Sequence, residues 1–163
     1  MKPYFQNDTI WNNYHKELME WIGTPYRHMT NMKGRGADCT LFIAATMQNA
    51  GFLTDIIFKE YSRDWHLHEN NNVVMESYVE GAKNLLPGLS IQNIEGCVNS
   101  YMRGDIFLMS VVPSGVIHHA GVCIDQDTMI HCIQPRGVQL SPFRGWWKRH
   151  VKQIVRIITK DAE

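Results

Sequence analysis

Cys39 stands directly before a run, Cys39-Thr-Leu-Phe-Ile-Ala-Ala-Thr-Met47, that is apolar nearly all round. Such a run predicts a helix buried in a core. Asp38 can cap its start and Gly51 can end it. A cysteine at a helix start meets unpaired backbone N–H groups and the positive end of the helix dipole. Both favour an anion, so the position is expected to lower the thiol pKa and raise its nucleophilicity. A small buried core cysteine has the same local pattern. What separates the two readings is a base within reach.

His119 and His131 offer one. They fall in two consecutive short β-type runs, His118-His-Ala-Gly-Val-Cys-Ile124 and Met129-Ile-His-Cys-Ile133, joined by a turn at Asp125-Gln-Asp127. Side chains alternate faces along a strand, so His119, Gly121 and Cys123 share a face, as do Met129, His131 and Ile133. A hairpin register that pairs Cys123 with Met129 puts both histidines on one side, a diagonal apart. One imidazole can then take the thiol proton while the other fixes its tautomer and orientation. His118 must point the other way.

Several elements must position these three residues. Asp8 reads as a helix cap, followed by Ile10, Tyr14, Leu18 and Trp21 on one helical face, with Gly23 and Pro25 ending the helix. The segment from Pro25 to Asp38, with basic residues and glycines, reads as a surface loop. Residues 51–72 are irregular and polar, and a second amphipathic helix is expected from about Val73, using Val74, Tyr78 and Ala82. After Pro87 come short runs suited to strands: GDIFLMSVV, HHAGVCI, MIHCI, VQLSPF and VKQIVRII. Helices first and strands after predict an α+β fold, with helices packed on a mostly antiparallel sheet of about five to six strands. The length of 163 residues fits one domain, 1–163.

Sixteen basic and sixteen acidic residues give a formal net charge of zero. That balance gives no electrostatic case for a nucleic-acid partner. No run reaches the length of a membrane span, so no membrane insertion is expected. The first twenty residues lack the pattern of a cleavable signal. Synthesis in the cytoplasm with reduced Cys39, Cys97, Cys123 and Cys132 is therefore the expectation. His66, His68 and Glu69 lie in a polar stretch and fall short of a zinc site, so neither metal nor cofactor is expected. Trp146 and Trp147, with Lys148, Arg149 and His150, read as a pair closing the end of the sheet beside a basic turn, or else as a glycan-binding patch.

Taken in order, Trp21-Ile-Gly-Thr-Pro-Tyr-Arg-His28, Gly36-Ala-Asp-Cys39, Arg103-Gly-Asp-Ile-Phe107, His119-Ala-Gly-Val122 and Met129-Ile-His131 resemble the NlpC family of papain-like cysteine peptidases, which cut peptidoglycan stem peptides. The resemblance covers nearly the whole chain from Trp21. It implies the papain-like NlpC fold, with Cys39 as nucleophile, His119 as base and His131 as the third polar residue. It also implies Tyr26 at the oxyanion or substrate end, and Asp38 as an acidic residue that can engage a free peptide amine. The implied substrate bond joins a D-glutamyl residue to a diamino acid. The stretch Arg63–His68 and the Pro135-Arg-Gly-Val138 run are most similar to phage-tail-associated members. They imply tail proteins as partners and a virion-associated or other signal-independent route to the wall. The chain departs from the family's Cys-Ser-Gly-Leu in having Cys39-Thr40-Leu41-Phe42, which alters the wall beside the nucleophile. Two other readings share the pattern: a thiol amidase or acyltransferase with a non-wall substrate, and a non-catalytic tail protein that keeps the fold.

Overall fold

The computed structural model describes residues 1–57, 60, 73–95, 100–113 and 115–160. A short strand β1 (Lys2–Pro3) leads into helix α1 (Asp8–Glu20). Asn7, one residue before the cap read from the sequence, is the N-cap: its side chain accepts from Ile10 N at 3.1 Å. Either Asn or Asp serves there, and Asp8 falls instead in the first turn, where its charge suits the helix dipole. The segment expected to be an irregular loop contains a small hairpin, β2 (Asn31–Met32) and β3 (Gly36–Ala37). Two-residue strands leave too little alternation to be seen in a sequence. Next come α2 (Cys39–Asn49) and α3 (Val73–Gly81).

The remaining strands are β4 (Leu89–Glu95), β5 (Ile106–Met109), β6 (His119–Cys123), β7 (Thr128–Ile133), β8 (Gly137–Pro142) and β9 (Val151–Thr159). A one-turn helix, α4 (Trp146–His150), stands between β8 and β9. Strands β1 and β4–β9 form one seven-stranded sheet, every pair antiparallel. The α+β architecture is as expected. The two strands beyond five are β1, which is very short, and β4, whose alternation Leu89, Ile91 breaks at Asn93-Ile94.

Alternation along the central strands divides the interior. Ile106, Leu108, Ala120, Val122, Ile130 and Cys132 face α2 and join α1 side chains in the larger core. Phe107, Met109, Cys123 and Met129 face the other way and pack with Tyr101, Phe143 and Ile154. There the Phe107 and Phe143 rings stack with centroids 4.0 Å apart. Among the described residues, no helix is long and apolar enough to cross a membrane.

The Arg103-Gly104-Asp105 motif is structural. Asp105 is buried, and its carboxylate accepts from Arg156 Nε at 2.8 Å, Arg156 Nη2 at 2.6 Å and Met102 N at 2.9 Å. This bidentate pair ties the entry of β5 to β9, beside the strand that carries His119. Gly104 has φ +82°, and a Cβ there would fall 2.1 Å from the Phe5 ring. Asp105→Ala is expected to cost about 3 kcal/mol in urea unfolding, the low end of the range for breaking a buried ion pair. The low end applies because Arg156 is 12% exposed. An effect under about 0.5 kcal/mol, the usual size for a surface change, would show that the pair is not a structural lock.

Candidate active site

The β6–β7 hairpin adopts the register that the histidine spacing required. Cys123 lies opposite Met129, and Gly121 lies opposite His131. His119, two residues before Gly121, is therefore diagonal to His131, and the rings meet with Nε2 of His119 2.8 Å from Nδ1 of His131. Gly121 keeps this corner open: a Cβ there would sit 3.3 Å from the His131 Cβ. The same offset recurs on the next strand. Gln139 lies opposite His131, and Ser141, two residues further, is the diagonal neighbour. His131 Nε2 lies 2.8 Å from Ser141 Oγ, and Gln139 Nε2 donates to that Oγ at 3.1 Å. His119, His131 and Ser141 thus form a slanted, hydrogen-bonded line across three strands.

Helix α2 brings the thiol to the start of β6. Cys39 Sγ donates to the His118 carbonyl oxygen at 3.8 Å and lies 3.7 Å from Thr40 Oγ1. The Ala120 amide also acts on it, so the sulfur sits against the backbone on either side of His119. Asp38 sets the helix start. Its Oδ1 accepts from Thr40 N at 3.2 Å and Leu41 N at 2.9 Å, and its Oδ2 accepts from Met29 N at 2.9 Å. The capping role read from the sequence is present, and the same carboxylate also fixes the preceding loop at Met29, a residue with φ 56°.

The electrostatics differ from the expectation of a lowered thiol. Burial, and after it the nearby Asp38 charge, push the Cys39 thiol up to about 12. Hydrogen bonds from Thr40 and from backbone amides pull the other way without offsetting these effects. The helix start therefore does not compensate for loss of water, and Cys39 at rest is a neutral thiol. His119 is held well below the usual histidine range by burial, then by His131 and His118. Burial alone lowers His131 to about 4. At neutral pH the site holds a thiol and two neutral imidazoles.

Trp147 contributes to that dryness. Its ring centroid is 4.9 Å from that of His131, edge to face, and 5.8 Å from that of His119. Trp146 packs its edge on Trp147 at 4.8 Å and is 47% exposed. Trp147 thus lies over the histidines, while Trp146 presents an exposed face. Ser141, Gln139 and Trp147 are site residues that sequence reasoning missed. The turn at Pro135–Gly137 could have placed Ser141 by register; nothing in the sequence signals the approach of Trp147.

Tyr26 is half-buried against the larger core, and its backbone bridges to Ala37, two residues before the nucleophile. His118 points away from the pair, its Nδ1 3.2 Å from Val116 O. Cys39, Cys123 and Cys132 are free thiols. Cys97, the His66–Glu69 cluster and the Arg63–His68 stretch lie outside the described residues.

Two outcomes follow from this geometry. Iodoacetamide should label Cys39 before Cys123 or Cys132, because Cys39 is 7% exposed and the other two 0%. Its rate should still be rising between pH 8 and pH 10, since about 12 is the thiol's folded value; a plateau by pH 7 in peptide mapping would contradict the neutral-thiol site. The second outcome concerns stability. Histidine in the unfolded chain titrates near ~6.5, whereas folded His131 titrates near about 4. Between those values the unfolded state binds more protons, so the contribution is full above ~6.5 and is lost as pH falls toward 4. His131→Gln should flatten part of the decline in Tm across that window. An unchanged slope would show that His131 does not contribute to it.

The model of the NlpC/P60 family matches residues 23–156. No curated protein matches the chain significantly. Among solved structures, an NLP/P60-family protein from Staphylococcus aureus, described as similar to lipoprotein, superposes with a TM-score of 0.60 at 17% identity, covering 97% of this chain and 44% of its own. A Bacillus cereus NlpC/P60 family protein gives a TM-score of 0.58 at 15% identity over 88% of this chain and 38% of its own. The NlpC/p60 domain of the peptidoglycan hydrolase SagA gives 0.55 at 20% identity, over 88% of this chain and 96% of that domain. This chain thus spans less than half the length of the first two proteins, and at these identities the likeness is one of fold. With the family model spanning both the nucleophile helix and the histidine strands, the chain belongs to the NlpC/P60 family.

Proposed function

We propose that this chain is a cysteine peptidase of the bacterial cell wall, cleaving peptidoglycan stem peptides at a D-glutamyl–diamino-acid bond. The observation that carries the reading is the 2.8 Å imidazole pair on β6 and β7, with a helix-start thiol against the backbone of its first histidine. Membership of the NlpC/P60 family and the fold shared with SagA's peptidoglycan hydrolase domain support the substrate class.

The chemistry follows from the neutral resting state. A free thiolate in a dry site beside Asp38 is costly, so the Cys39 proton passes to His119 as sulfur attacks the scissile carbonyl. The new C–S bond forms as the carbonyl π pair moves to oxygen, and His119 becomes an imidazolium held by His131. With Thr40 N and Leu41 N held by Asp38, the backbone N–H of Cys39, together with Tyr26, stabilises the oxyanion. His119 then gives its proton to the departing amine as the C–N bond breaks, leaving a thioester on Cys39. Water, deprotonated by His119, hydrolyses that thioester and restores the thiol. Asp38 biases the substrate end toward a free peptide amine through its charge while its oxygens hold the helix start.

A thiol amidase or acyltransferase with a non-wall substrate would use the same thiol and histidines; membership of the NlpC/P60 family favours the wall peptide. A purely structural tail protein would have no need of a buried imidazole pair on the strand whose backbone receives a helix-start thiol.

The test is incubation with purified muropeptides and mass spectrometry of the products. Free D-glutamyl and diamino-acid termini are expected from the wild type. Cys39→Ser and His119→Ala should each lose about a thousandfold or more in kcat, and His131→Ala less, since it transfers no proton to substrate. Asp38→Asn should raise KM more for free-amine peptides than for N-acetylated ones. No cleavage of any stem peptide by folded wild-type protein, or full activity in Cys39→Ser, would overturn the assignment.

A further inference from the structure

The line of hydrogen bonds does not end at the second histidine. Ser141 Oγ lies 2.8 Å from His131 Nε2, is buried with its residue 6% exposed, and belongs to the third strand of the diagonal. Its place matters because a neutral imidazole has one N–H and one lone pair, and the relay can run in either of two senses. In one, His131 carries its proton on Nδ1 and donates to His119 Nε2. The only proton of neutral His119 is then on Nδ1, and that nitrogen can accept nothing. In the other, His131 carries its proton on Nε2 and accepts at Nδ1 from His119 Nε2–H. The Nδ1 lone pair of His119 is then free for a proton. Only the second sense makes His119 a base through Nδ1, the nitrogen not engaged by His131.

The second sense requires an acceptor for His131 Nε2–H, because His131 is fully buried and an unpaired buried N–H is costly. We propose that Ser141 is a positioning residue for the catalytic pair: its hydroxyl oxygen accepts the His131 Nε2–H and so selects the tautomer in which His119 is a competent base. The inference rests on the reading of His119 as the base. A serine oxygen has two lone pairs, so it can take the Gln139 Nε2–H at 3.1 Å together with the His131 proton. Gln139 in turn lies directly opposite His131 in the sheet, which fixes Ser141 between them. The neighbours of the pair reinforce the arrangement. His118 is the further titratable group acting on His119, burial alone acts on His131, and the β8 and α4 sides present the neutral Ser141, Gln139 and Trp147.

The test compares the full chain with Ser141→Ala, with the near-isosteric Ser141→Cys, whose sulfur is a weak acceptor, and with Ser141→Thr, which keeps the hydroxyl. In protein labelled with ¹⁵N at histidine, the ring nitrogens of His131 at pH 7.5 should show Nε2 protonated and Nδ1 bare. In Ser141→Ala and Ser141→Cys the signals should move toward the opposite tautomer, and Ser141→Thr should hold the original one. With stem peptide as substrate, kcat should fall about tenfold in Ala and Cys, with KM nearly unchanged and recovery in Thr. Thermal melts identify any variant that fails to fold, and the wild-type tautomer decides the matter even then. A His131 proton on Nδ1 in the wild type, or signals and kcat unmoved in folded Ser141→Ala, overturns the proposal. If the wild type cleaves no stem peptide, the functional reading falls while the nitrogen signals still decide this one.

Discussion

The hydrogen bond between two buried imidazoles, 2.8 Å from His119 Nε2 to His131 Nδ1, is the contact to which the surrounding structure is fitted. Each ring alone is an ordinary strand residue. They meet because the β6–β7 register places Gly121, which has no side chain, opposite His131 and leaves the diagonal clear. A slip of one residue would send one ring to the opposite face of the sheet. The register is held from outside the hairpin: β5 pairs with β6 on one side, and the Asp105–Arg156 ion pair ties the entry of β5 to β9. The Arg103-Gly104-Asp105 motif, far from the histidines in sequence, thus helps place them by holding the strand next to His119.

Asp38 shows two demands in opposition. Capping α2 and holding Met29 N engage both carboxylate oxygens with three backbone N–H bonds. The same charge opposes ionisation of the adjacent Cys39, already disfavoured by burial. A site built this way keeps Cys39 as a thiol, which suits the proposed mechanism, where proton transfer accompanies attack. The helix dipole, often invoked for cysteines at helix starts, is the weaker effect here because the thiol is taken out of water. Dipole effects at helix ends run to about 1 kcal/mol, whereas burial can shift a pKa by several units.

Most of the site was legible because it depends on short-range rules. The buried helix behind Cys39 followed from its unbroken apolar run. The diagonal of His119 and His131 followed from strand alternation and a turn at Asp125–Asp127, and the observed register is the one those rules required. Ser141 obeys the same rule one strand further, and its absence from the sequence reading reflects an unfinished register count rather than a hidden signal. Other features were not local. The height of the thiol pKa depends on how completely the sheet and helix exclude water, which a single sequence does not display. Trp147 reaches the histidines from α4, which no periodicity links to β6. Strand β4 escaped notice because its apolar alternation fails at Asn93-Ile94, although pairing with β9 over its whole length holds it in place.

The dryness of the site constrains how protons move through it. With Cys39 neutral and both imidazoles unprotonated at rest, the net charge of the site is carried by Asp38, whose oxygens are occupied with backbone amides. In the proposed mechanism, attack on a carbonyl creates an imidazolium at His119 and an oxyanion on substrate, opposite charges that appear together and attract each other strongly in a medium of low dielectric. Neither has to exist alone, which is the state the buried site penalises most. His131 and Trp147 answer that pair of charges differently: His131 by a hydrogen bond that strengthens as His119 gains its proton, Trp147 by a ring face or edge beside the new cation. A site that raises its thiol and lowers its histidines at rest is therefore consistent with cysteine catalysis, provided the charges are made and consumed in the same steps.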